Sequence, residues 1–60
     1  MITPKQALKA YILAQFLTSK GMPIRVFKYQ SEEKLIRIEA GLRNRQIRIV
    51  INERGKAKYV

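Results

Sequence analysis

Between Lys34 and Ile51 the chain alternates isoleucine with charged residues in two short runs, KLIRIEA and QIRIVI, separated by the polar stretch GLRNR. A period of two belongs to strands that bury one face and wet the other. The pattern predicts an inward set of Ile36, Ile38, Ile47, Ile49 and Ile51. It predicts an opposite set that includes Arg37, Glu39, Arg48 and Val50. If both runs share one sheet, the alternation that builds the core also sets guanidinium groups side by side on the other surface.

The N-terminal third follows a different rhythm. Thr3-Pro4-Lys5-Gln6 has the form of a helix start, with a capping hydroxyl, proline at the first helical position and Gln where a capping box requires Glu or Gln. A helix is expected from Pro4 to about Lys20, closed by Gly21 in the left-handed region and stopped by Pro23. Its apolar residues exceed one stripe. Ala7, Ala10, Tyr11, Leu13, Ala14 and Leu17 form a broad face suited to a close approach by a sheet. Leu8, Ile12 and Phe16 form a separate ridge at i, i+4 and i+8, flanked by Lys5, Lys9 and Gln15. A helix apolar on two sides needs two coverings, and a four-residue ridge fits helix–helix packing. The ridge is assigned to a partner interface, with a homodimer as the expected form.

Ile24 to Tyr29 reads as a strand by propensity. Strict alternation places Ile24 and Val26 on one face and Arg25, Phe27 and Tyr29 on the other. Gln30-Ser31-Glu32-Glu33 is a polar turn, Lys34 to Ala40 a second strand and Gln46 to Ile51 a third. The loop Gly41-Leu42-Arg43-Asn44-Arg45 carries two arginines, and Asn44 tolerates positive φ. Asn52-Glu53-Arg54-Gly55 forms a hairpin turn into a short last strand, Lys56 to Val60. Every inter-strand connection is short, so the expected fold is α+β: one N-terminal helix on a three- to four-stranded antiparallel meander. Residues 1–60 make a single small basic domain.

Charge sharpens this picture. Thirteen Lys and Arg against four acidic residues give a net charge of +9 on 60 residues. A surplus of that density attracts polyanions by counterion release. With simple hairpin registers, Arg25, Phe27, Tyr29, Arg37, Arg48 and Lys58 share the open face of the sheet. Arg43, Arg45 and Arg54 add cations from the loops. Basic groups track phosphates, and aromatic faces stack bases for about 1–3 kcal/mol each. The sequence therefore predicts a nucleic-acid-binding protein, for RNA or DNA, governed by shape and charge. The alternative is a protein-interaction module, an inhibitor, antitoxin-like or assembly subunit, docking on an acidic protein.

Catalysis has little to work with. The chain has no Cys and no His, which removes thiolate nucleophiles, imidazole bases and the usual zinc ligands. Glu32 and Glu33 are adjacent and point apart in an extended segment. The glycines at 21, 41 and 55 are isolated and build no phosphate cradle. Arg, Lys, Tyr and Glu, with which small ribonucleases can act, are all present, but the chain is short and lacks a second helix. No enzyme activity, metal or cofactor is expected. No apolar run approaches the roughly 20 residues that cross a bilayer, and the N-terminus lacks the build of a signal peptide. No membrane partner and a cytoplasmic location are expected.

Overall fold

The computed structural model describes residues 1–60: helix α1 (Pro4–Ser19) followed by strands β1 (Ile24–Gln30), β2 (Leu35–Leu42), β3 (Arg45–Ile51) and β4 (Ala57–Tyr59). The strands form one antiparallel sheet in the order β1-β2-β3-β4, with α1 across one face. This is the expected α+β meander. No helix is long and apolar enough to cross a membrane.

The helix begins where its sequence dictates. The Thr3 hydroxyl accepts from the Gln6 N–H at 3.1 Å, and the Gln6 side-chain oxygen accepts from the Thr3 N–H at 3.0 Å. Gln6 also does what no local pattern specifies. Its Nε2 donates to the Lys34 carbonyl at 2.8 Å and to the Ile51 carbonyl at 3.1 Å, and the side chain is fully buried. One amide thus caps the helix and ties it to the start of β2 and the end of β3. Every one of its partners is a backbone group that would otherwise lose its hydrogen bond on burial.

Ala10 and Leu17 of α1 meet Ile36, Ile38, Ala40, Ile49 and Ile51 in the core, with Leu13, Met22, Ile24, Tyr29 and Ile47 packed around them. The inward isoleucines are therefore the expected set. Small residues at Ala10 and Ala40 let helix and sheet approach closely. Ala7 and Tyr11, expected on the sheet-facing side of α1, are exposed instead. Only Ala10, Leu13, Ala14 and Leu17 of that broad face are at least partly covered, because a narrow sheet meets one stripe of the helix.

The first strand departs from simple alternation. Ile24 pairs with Ala40, but Val26 pairs with Glu39 and Phe27 with Ile38, so the register slips at Arg25 in a β-bulge. A bulge sets two residues against one and reverses the parity beyond it. Ile24 stays on the helix side. Val26, Lys28 and Gln30 turn to the open side, and Phe27 and Tyr29 turn to the helix side. Tyr29 packs on the core, and its hydroxyl accepts from the Met1 ammonium at 2.8 Å. Phe27 lies at the edge, half exposed.

Two turns also differ in detail. The β2–β3 hairpin is tight, with Leu42 paired to Arg45 across Arg43 and Asn44. The positive φ falls on Gly41 at 124°, not on Asn44. A Cβ on Gly41 would lie 2.0 Å from the Arg45 carbonyl oxygen, so the strands close over a position only glycine can fill. In the β3–β4 turn, the Asn52 side chain accepts from the N–H groups of Arg54 and Lys56 at 2.9 and 3.0 Å.

Candidate nucleic-acid interface

The face of the sheet away from α1 carries its cations in rungs. Cross-strand pairing places Lys28, Arg37, Val50 and Lys58 on one rung, and Val26, Glu39, Arg48 and Val60 on the next. Directly opposed residues in an antiparallel sheet hold their Cβ atoms roughly 5 Å apart, so the charged ends form a continuous field. Arg25, exposed in the bulge, borders a depression of about 260 Å³ with Val26, Glu39, Gln46 and Arg48. The bulge has a chemical consequence: it delivers a guanidinium to the rim of the open face beside Glu39.

Glu39 is the one carboxylate of this face. It stands 3.9 Å from an Arg37 nitrogen and 4.0 Å from Arg48 Nε. These distances are too long for hydrogen bonds, so Glu39 attenuates the field and leaves the guanidinium N–H groups unclaimed. Exposed pairs of this kind contribute little to stability. Arg37 Nε and the Gln30 side-chain oxygen are buried without a hydrogen-bond partner. The face also has an apolar component. Val50 is only 7% exposed although it lies on the open side, flanked on its rung by Arg37 and Lys58. Long cationic side chains commonly lay their methylenes over such a residue and keep their heads in water.

The sequence-predicted residues fall into three groups. Arg37, Arg48 and Lys58 share the open face as expected, and Arg25 joins them at its rim through the bulge. Phe27 and Tyr29 do not, because the parity reversal carries them to the helix side. That removes both aromatics from the proposed stacking platform. The loop arginines are scattered: Arg43 occupies the tip of the β2–β3 hairpin, Arg45 pairs with Leu42 in the parity of the helix-side residues, and Arg54 lies in the β3–β4 turn at the other end of the sheet. They do not form one clamp. Strict alternation missed Lys28, which the structure places beside Arg37. No signal within β1 alone marks it, because the slip at Arg25 belongs to the pairing of β1 with β2.

On the helix side, Leu8, Ile12 and Phe16 are 61%, 50% and 53% exposed, so the ridge is uncovered within one chain. Lys20 lies past the end of α1, its ammonium 5.5 Å from the centre of the Phe16 ring. No cluster of three or more acidic residues is arranged to hold a metal ion.

Residues 1–58 match the family described as Domain of unknown function (DUF6888), and the chain belongs to that family. No curated protein and no solved structure matches it.

Proposed function

We propose that this protein binds nucleic acid through the open face of its sheet, engaging phosphates rather than bases. The observation that carries the reading is the convergence of Arg25, Lys28, Arg37, Arg48 and Lys58 on an uncovered surface with Glu39 as the one opposing charge. Guanidinium groups with free N–H donors suit bidentate phosphate contacts. The open face holds no aromatic side chain from any strand, so affinity rests on charge and shape, with little discrimination among bases. The protein acts as a binding module without catalysis.

The test is anisotropy of labelled single- and double-stranded RNA and DNA oligonucleotides over a salt series. Neutralising about five phosphates gives a slope of log K against log[salt] of roughly −4 to −5. Binding that is flat across the salt series overturns the reading.

A second reading is that the chain is a protein-interaction module for an acidic partner. The uncovered ridge of Leu8, Ile12 and Phe16 on α1 favours it, since nucleic-acid binding by the sheet makes no use of that surface. Recovery of partners before and after nuclease treatment separates the two. A stoichiometric protein that survives nuclease supports the second reading alone.

A further inference from the structure

The helix side carries a second uncovered surface, built from the ridge and a cleft that continues it. Phe16 ends the ridge and also lines a cavity of about 570 Å³ at the C-terminal end of α1, with Met22, Leu42 and Ile47 as its other apolar walls and Lys20 and Arg45 beside them. Leu42 is itself exposed, on the β2–β3 hairpin that flanks the helix end. Leu8, Ile12, Phe16 and the cleft thus form one apolar track.

The charges along the track have one sign. Lys5 and Lys9 flank the ridge, and Lys20 and Arg45 border the cleft. No acidic residue precedes Glu32 in the chain. The acidic residues lie elsewhere: Glu39 on the open face, Glu32 and Glu33 in the β1–β2 turn and Glu53 in the β3–β4 turn, both turns at the end of the sheet where α1 begins.

We propose that this track docks an acidic amphipathic helix from another protein. Its apolar residues would lie along Leu8, Ile12 and Phe16 and end in the cleft, and its carboxylates would meet Lys9, Lys20 and Arg45. The proposal deepens the second reading above by naming the partner's chemistry, and it stands whether or not the open face binds nucleic acid. Charge complementarity selects this occupant. A second copy would bring another set of lysines to the same interface, with +9 on each chain. An anionic bilayer would satisfy the lysines, but a plane does not fill a cleft, whereas a helix seats side chains in a groove. The small core favours a partner on this surface, because only 11 of 60 residues are buried, and chains of this size commonly gain stability from one.

The test uses the full chain and designed helical peptides with leucines at i, i+4 and i+8, flanked either by glutamates or by lysines. The glutamate peptide binds, and amide shifts at Phe16, Met22, Leu42 and Ile47 move while those at Lys28 and Lys58 do not. Leu42→Asp and Phe16→Asp each weaken binding by about tenfold or more, and circular dichroism verifies that each variant is folded. Should Phe16→Asp unfold the chain, Lys20→Glu with Arg45→Glu replaces it and switches preference to the lysine peptide. Leu42→Asp and Phe16→Asp retain oligonucleotide binding if the open face has that role, so the two readings fail separately. Equal binding of both peptides overturns the proposal, as does binding of neither. So does sedimentation of the free chain as a dimer that Phe16→Asp makes monomeric, or binding to phosphatidylglycerol vesicles without binding to the glutamate peptide.

Discussion

The two ends of α1 meet the sheet in different ways. At the N-terminal end, Gln6 bonds to Thr3, Lys34 and Ile51, the Thr3 hydroxyl donates to the Glu53 carbonyl at 2.7 Å, and buried Gly55 lies against the Lys5 backbone. At the C-terminal end, Lys20, Gly21 and Met22 close the helix on its own last carbonyls, and the space toward the hairpin is an open cleft. The first end is fastened through polar groups, with the fully buried Gln6 amide at their centre. The second is held by a few apolar contacts and leaves room beside them. The side-chain hydrogen bonds that fasten α1 to the sheet are therefore concentrated at the first end, and the free surface lies at the other.

Substitutions sharpen this contrast, starting from the position that limits it. A domain of this length has a total stability of roughly 3–9 kcal/mol, so changes of a few kcal/mol decide whether it folds. Gly41→Ala has the largest expected effect, about 3 kcal/mol or more, since its Cβ would sit 2.0 Å from the Arg45 carbonyl oxygen. The open end thus has one rigid point, the hairpin that bounds its cleft. Gln6→Ala follows at about 2–3 kcal/mol, because it removes the side-chain half of the capping box and leaves the Lys34 and Ile51 carbonyls without that donor. Gly55→Ala is expected to lose about 1–2 kcal/mol, from a φ of 80° and a Cβ 2.8 Å from the Lys5 carbonyl oxygen. Phe16→Ser, at the open end, changes stability by no more than about 0.5 kcal/mol, as surface substitutions usually do. Urea midpoints for the four variants check the order. A Phe16→Ser loss equal to that of Gln6→Ala contradicts the contrast.

The C-terminal half was legible because β2 and β3 alternate without interruption and a two-residue hairpin joins them in register. Ile36, Ile38, Ile49 and Ile51 could hardly face any other way, and Arg37 and Arg48 followed by parity. The helix start at Thr3-Pro4-Lys5-Gln6 was equally plain, since caps are local chemistry. β1 was not legible, because a bulge is a property of the pair of strands. One extra residue at Arg25 exchanged Phe27 and Tyr29 for Lys28 on the open face. The long-range bonds of Gln6 were hidden for a similar reason: a capping glutamine reads the same whether or not it also reaches a sheet. Arg43, Arg45 and Arg54 seemed a group in the sequence only because side-chain direction in loops has no period to follow.

In the proposed function, the open face and not the loops holds the phosphate-binding charge. The most direct measurement is the salt slope of oligonucleotide binding for the parent chain, for Arg37→Gln with Arg48→Gln and Lys58→Gln, and for Arg43→Gln with Arg45→Gln. Each lost phosphate contact reduces the slope by about one, so the open-face variant is predicted to fall by about three and the hairpin variant to stay near the parent. A hairpin variant that loses the slope while the open-face variant keeps it contradicts the account.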